Sequence, residues 1–143
     1  IVPDPRLRAA FRARLNALGI SPNSFGMAMA TAAYSPEGAG WVDALVRYLD
    51  GNRRAFDEGI AAIPGVRSMA LEATYLAWVD CRALGMPEAE IARRFAQGAR
   101  IAANLGSSFG LGGEGWMRVN LATPRARVEE AAARLRAAFA DVQ

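Results

Sequence analysis

Hydrophobic residues change their period near residue 65, and this shift restricts the chain to folds in which helices precede a small sheet. Upstream, Asp4-Pro5 reads as a helix N-cap followed by proline at the first helical position. Leu7, Phe11, Leu15 and Leu18 then recur at helical spacing until Gly19, which predicts a helix over 4–18. A second helix is expected over 25–34, with Asn23 either its N-cap or a residue that reaches a site. There Met27, Ala28, Met29, Ala30, Ala32 and Ala33 leave no polar face, the pattern of a buried helix. Ser35-Pro36-Glu37 opens a third, longer helix whose stripe of Trp41, Leu45, Tyr48, Leu49, Phe56, Ile60 and Ile63 ends at Pro64-Gly65. Gly51, in the middle of that stripe, is expected to be its weak point.

Beyond residue 65 the pattern alternates. Strands are expected at Tyr75–Asp80, at Ile101–Asn104 and at Trp116–Leu121, and a helix from Pro87 to Gly98 turns Ile91 and Phe95 inward. A Gly/Ser loop covers 106–115, and Thr123-Pro124 caps a last helix with Val128, Ala132, Leu135 and Phe139 on its inner side. The expected fold class is α+β: a small, mainly antiparallel sheet with helices on one face, preceded by helices that include a long one of interdomain type. A chain of 143 residues is large enough for one real core.

The 17 basic residues are all arginine, and the chain contains neither Lys nor His. A Schiff-base lysine, a histidine general base and a His-ligated metal are therefore outside the reach of this chain, and no metal site is expected. Cys81 is the single cysteine, so an internal disulfide cannot form, and a packed small residue is the expected role. The formal charge of +3 comes from arginines scattered over several helix faces and interleaved with Asp and Glu, which reads as solvated surface and not as a nucleic-acid footprint. No apolar run approaches the roughly 18 residues that would cross a bilayer, and no membrane partner is expected. Cytoplasm is the expected compartment. The chain opens at Ile1 without an initiator Met, and the expectation is a segment of something longer.

Two glycine motifs resemble chemistry that their surroundings do not support. Gly110-Leu111-Gly112-Gly113-Glu114-Gly115 satisfies the dinucleotide pattern G-x-G-x-x-G, but it leads into a strand, so no helix N-terminus would face a pyrophosphate. Gly106-Ser107-Ser108-Phe109-Gly110 satisfies G-x-S-x-G in a chain with no His to take the serine proton. A turn shaped around a neighbouring segment accounts for both.

Three segments together carry a family resemblance: Pro22-Asn23-Ser24-Phe25-Gly26 running into Ala32-Ala33-Tyr34, then Leu71 through Asp80, then Gly106 through Pro124. In order and spacing they resemble the C-terminal part of pyridoxal-phosphate (PLP) enzymes of the class I/II aminotransferase type, and most of all the MalY/PatB-type carbon–sulfur lyases. The most specific stretch is Gly113-Glu114-Gly115-Trp116-Met117-Arg118-Val119-Asn120 with Pro124. Two positions depart from the pattern: Ala73 stands where glycine is usual, and Leu105 where proline is common.

The resemblance implies the C-terminal domain of PLP-transferase fold type I. It divides the chain into a helical remnant of the large PLP-binding domain at 1–35, a long connecting helix at 36–64 and the small C-terminal domain at 65–143. It implies that Arg118 holds the α-carboxylate of an amino-acid substrate, since a planar guanidinium binds a carboxylate through two parallel hydrogen bonds. Tyr75, Asn120 and Ser108 are expected nearby; Met117 and Val119 should face away from Trp116, Arg118 and Asn120. PLP would be bound mainly by a missing N-terminal domain, so no cofactor-binding residue can be assigned here, and this chain alone carries no catalytic residue. The implied whole enzyme is a homodimer catalysing C–S β-elimination in the manner of cystathionine β-lyase. Transamination to a 2-oxo acid and a stand-alone, non-catalytic α+β module that binds an anion or a partner both stay open at this point.

Overall fold

The computed structural model describes residues 1–142, which divide between Ala44 and Leu45 into two compact units. Helix α1 (Pro5–Ala17) starts where Asp4 accepts hydrogen bonds from the backbone N–H groups of Arg6 and Leu7, at 2.8 and 2.9 Å. Helix α2 (Ser24–Ala33) starts where the side chain of Asn23 accepts from the Gly26 N–H at 2.6 Å. Both caps satisfy amides that have no partner within the helix. The expected burial of α2 is not found: Phe25 and Met29 are 83% and 70% exposed, and no residue of Ile1–Ala44 is buried. The reason is that this unit has no second layer to form a core of its own.

Helix α3 (Pro36–Ile60) runs without a break through Gly51. Gly51 is an accommodation and not a weak point, because a Cβ there would lie 2.2 Å from a guanidinium nitrogen of Arg125. That guanidinium lies over the Tyr48 ring and donates from Nε to Asn52 Oδ1 at 2.7 Å. Asn52 is fully buried, and its Nδ2 donates to the carbonyls of Leu121 and Thr123, each at 2.8 Å. One side chain on α3 therefore terminates the last sheet strand and seats the start of the final helix. Of the apolar stripe, Phe56, Ile60 and Ile63 are buried, whereas Trp41 and Tyr48 are exposed.

The sheet has four strands, β1 (Arg67–Ser68), β2 (Leu76–Asp80), β3 (Asn104–Leu105) and β4 (Trp116–Asn120), in the order β1-β2-β4-β3 with every pair antiparallel. Strand β1 is an addition to the sequence expectation, and β3 begins at the last residue of the strand expected over 101–104. In the central pair Val79 faces Met117 and Trp78 faces Arg118. Ala77, Val79, Met117 and Val119 point into a core shared with Phe56 and Ile60 of α3, with Ile91 and Phe95, and with Val128, Ala132, Leu135 and Phe139. Ile91 sits on α4 (Glu88–Arg93), Phe95 on the π-helical turn Arg94–Gly98 that follows, and the last four on α5 (Arg125–Ala138). Pro124 stands at the α5 N-cap, so the expected Thr123 side-chain cap is not made.

The C-terminal turn is tied back by charge. Arg94 binds Glu90 on the preceding α4 and Asp141, and it lies over the Phe139 ring. Arg93 and Arg94 hold the Glu90 carboxyl down to about 2.

Replacing Asn52 by Ala leaves two backbone carbonyls and Arg125 Nε without their partner. Urea unfolding should show a loss of about 2–4 kcal/mol, since each buried group left unpaired costs roughly 1–3 kcal/mol. A loss below about 0.5 kcal/mol, the range of ordinary surface substitutions, would contradict this account of the Asn52 network.

Candidate functional site

Period-two alternation gives β2 and β4 a second face, opposite the core, carrying Trp78, Trp116, Arg118 and Asn120. Trp78 and Trp116 stack with ring centroids 5.9 Å apart, and the edge of Phe109 meets Trp78 at 5.5 Å. Each such pair is worth about 0.5–1.5 kcal/mol beyond its buried area. The guanidinium of Arg118 lies over the Phe109 ring, 4.4 Å from its centroid. Its Nη2 donates to Asn104 Oδ1 at 3.0 Å across the β3–β4 ladder, where Asn104 and Arg118 are register partners. Its Nε is buried and has no hydrogen-bond partner.

Arg118 differs from the other arginines of this layer in what neutralises it. Asp80, buried, accepts from Arg82 and Arg67, and these hydrogen bonds, those from Arg82 first, hold its carboxyl well below the usual carboxylate range. Arg82, so held, lies 4.7 Å from the Trp116 ring centroid. Arg53, Arg54, Arg93, Arg94 and Arg127 likewise have carboxylate partners. Among the described residues Arg118 makes no ion pair; an amide oxygen and an aromatic face hold it. A guanidinium with five donors, one of them on Asn104, keeps its charge and most of its hydrogen-bonding capacity for a ligand. The ligand chemistry it suits is a carboxylate.

The loop that carries Phe109 is shaped by close backbone approach. A Cβ on Gly106 would lie 2.1 Å from the Gly113 carbonyl oxygen, and a Cβ on Gly113 equally near that of Gly106. Only glycine fits at either crossing, and Gly110, Gly112 and Gly115 have φ of 118°, 83° and 76°, so close approach and turn geometry together explain why the stretch mimics two glycine motifs. Ser107 donates to Glu88 Oε2 at 2.7 Å and Ser108 to the Leu105 carbonyl at 2.6 Å, so both hydroxyls fasten the loop.

None of the other expected site residues hydrogen-bonds to Arg118. The Asn120 side chain shares the sheet face of Arg118 but accepts from the Ala122 N–H at 2.8 Å, closing a local turn. Tyr75 is 43% exposed and lines a cleft of about 370 Å³ with Leu49, Asp50, Arg53, Leu71 and Leu121. Its neighbour Thr74 has a φ of 67°, an outlier for a β-branched residue. Asn104, the direct partner of Arg118, is not among the expected site residues. The signal that could have found it is the pairing of its short strand with the Arg118 strand, which spacing along the chain does not reveal. Cys81 is fully buried, and burial, assisted by the Asp80 charge, pushes its thiol up to about 12. No group of three or more His, Cys, Asp or Glu is placed to hold a metal ion, and no helix is long and apolar enough to cross a membrane, among the described residues.

The fold matches solved structures over the whole chain. It is similar to cystalysin from Treponema denticola, whose structure contains a pyridoxal 5'-phosphate cofactor, with a TM-score of 0.87 and 30% identity, covering 100% of this chain and 36% of that one. The antiparallel sheet and the helices on its inner face, with these structural neighbours, define an aminotransferase-type C-terminal domain of the PLP-transferase fold.

Within that class the chain is homologous to PatB of Bacillus subtilis, a cystathionine β-lyase, with 33% identity over 141 residues, 97% of this chain and 36% of PatB. It is also similar to MalY of Escherichia coli, with 33% identity over 116 residues, 80% of this chain and 30% of MalY. The chain belongs with the PatB/MalY group of the PLP-dependent aminotransferase family, and it spans about a third of the length of these relatives. No protein-family model matches it.

The buried thiol gives a pH test. In the unfolded chain Cys81 ionises near its ordinary value of 9.0, while in the fold it stays neutral up to about 12. The stability contributed by the neutral thiol is present below pH 9.0 and is lost as pH rises toward about 12. Thiol titration should find Cys81 unreactive in the native protein and reactive in denaturant; equal rates in both would refute its burial.

Proposed function

We propose that this chain is the substrate-carboxylate-binding segment of a PLP-dependent carbon–sulfur lyase. In the whole enzyme it would act by β-elimination on cystathionine or a related cysteine thioether. The observation that carries the reading is Arg118: a guanidinium on an aromatic wall, with a buried, unpartnered Nε and no carboxylate of its own. The names of PatB and of the other cystathionine β-lyase relatives support the reaction class. The proposed division is a helical remnant of a larger domain at 1–35, a connecting helix at 36–64 and the small domain at 65–143. The enzyme would be a cytoplasmic homodimer.

The residues present suit one part of such a site. Without a lysine the chain cannot attach PLP covalently, and no residue here is assigned to hold it. When bound by the rest of the enzyme, PLP supplies an electron sink for the bond broken at the substrate's α-carbon. Arg118 binds the α-carboxylate and so fixes the rotation of the substrate about its α-carbon, which decides which bond is aligned for cleavage. Phe109, lying over the Arg118 guanidinium, shields one face of that ion pair from water. Asn120, on the same sheet face, and Ser108, next to Phe109, border the substrate, whereas Tyr75 lines the separate cleft beside α3 with Leu49 and Arg53. For cystathionine the balance is one water consumed, with homocysteine, pyruvate and ammonia released.

Two measurements on the full-length protein test this. Incubation with cystathionine should release pyruvate and ammonia without an added 2-oxo acid; amino transfer to a 2-oxo acid with no pyruvate would replace elimination by transamination. Arg118→Ala should raise KM at least roughly tenfold, since a charge-assisted hydrogen bond is worth about 1.5–3 kcal/mol, while PLP stays bound. Loss of PLP with unchanged substrate kinetics would remove Arg118 from the carboxylate site.

A further inference from the structure

Arginine 118 can serve as a carboxylate clamp only if its plane is held and its charge is left uncancelled, and one residue does both. Asn104 stands opposite it on β3, and its side-chain oxygen accepts from Arg118 Nη2 at 3.0 Å. Arginine has donors only, so the amide must present its oxygen to the guanidinium and not its NH₂ group. The contact fixes one edge of the fork while Phe109 covers a face, at 4.4 Å from the ring centroid. An amide oxygen carries no net charge. A carboxylate in the same place would form an internal ion pair, as Asp80 does with Arg82 two residues along β2 from Trp78, the register partner of Arg118.

We infer that Asn104 is a positioning residue that orients the Arg118 guanidinium and, by being neutral, reserves its charge for the substrate's carboxylate. This inference rests on the reading of Arg118 given above. It makes position 104 a control on acid selectivity: the group there decides how strongly the site prefers a free α-carboxylate over a neutral equivalent. Asn104 needs no contact with the substrate for this, because it acts through Arg118.

The test compares S-methyl-L-cysteine with its carboxamide as substrates of the full-length, PLP-loaded enzyme, reading kcat and KM for each. The ratio of kcat/KM for acid over amide reports the clamp and cancels any loss common to both substrates. Arg118→Ala should collapse the ratio; if it leaves the ratio at the wild-type value, the carboxylate reading of Arg118 fails and the Asn104 inference falls with it. With that control in place, Asn104→Asp should lower the ratio by roughly tenfold or more, because a fixed opposite charge competes with the substrate's carboxylate. Asn104→Ala should lower it less, through a higher KM for the acid with kcat and the amide's kinetics little changed. If Asn104→Asp does not fold, Asn104→Ala alone decides between a selective rise in the acid's KM and an equal loss for both substrates. Equal losses, with the ratio unchanged while Arg118→Ala collapses it, overturn the positioning role and leave Asn104 a structural residue.

Discussion

The antiparallel pairing of β2 with β4 is the constraint on which the rest of the unit that begins at Leu45 depends. Its register sets Val79 opposite Met117 and Trp78 opposite Arg118, so the ladder sends one set of side chains into the core and the alternate set outward. Because the period is two, a slip of one residue would drive Arg118 among Phe56, Phe95 and Phe139 and expose Met117 and Val119. An unpaired buried guanidinium is costly, so the slip is opposed from both faces at once. Asp80 and Asn52 hold the two ends of the pair. Asp80 anchors Arg67 and Arg82 where β1 meets β2, and Asn52 caps the carbonyls that follow β4.

A chain whose basic residues are all arginine needs a way to distinguish structural cations from a functional one. In this structure the arginines differ in their partners. Where an arginine fastens one element to another, the partner is a carboxylate, as in Arg82 with Asp80 or Arg94 with Asp141. At Arg118, the arginine proposed to meet a ligand, the partners are neutral: Asn104 and Phe109. Arg125 is a third type. It also bonds a neutral asparagine and lies over an aromatic ring, yet it is spent on Asn52 and Tyr48 inside the fold. Arg118 differs from Arg125 in combining neutral partners with a buried donor, Nε, that has no hydrogen-bond partner.

The parts of the fold legible in the sequence were those with strong local periodicity. The alternation from Trp116 to Asn120 placed Met117 and Val119 inward correctly, and helical spacing placed Ile91, Phe95, Val128 and Leu135 in the core. Features set by distant partners were not legible. Strand β1 has only two residues and exists because Asp80 and Val79 pair with Arg67 and Ser68. The apolar composition of α2 reveals that it needs a cover but not what covers it, which is why its expected burial failed within Ile1–Ala44. Gly51 looked like a defect in a helix because the side chain that needs its space, Arg125, lies far along the chain. The family pattern pointed to Arg118 but not to Asn104, whose connection to it is a cross-strand contact.

The glycine loop shows how backbone geometry reaches the site without supplying a reactive group. Gly106 and Gly113 cross so closely that neither tolerates a Cβ, and Gly115, at a φ of 76°, turns the chain into β4 against the Arg82 side chain. This double constraint leaves the intervening residues a narrow choice of path, and the short helical turn from Gly106 to Phe109 ends with the Phe109 ring against both Trp78 and Arg118. The hydroxyls of Ser107 and Ser108 then fasten that turn to Glu88 and to the Leu105 carbonyl. Glycines at the crossing, serines at the anchor points and one aromatic at the tip thus form a sequence of dependencies that ends at the guanidinium. A side chain at either crossing would act on Arg118 without touching it, by moving the ring that covers its face.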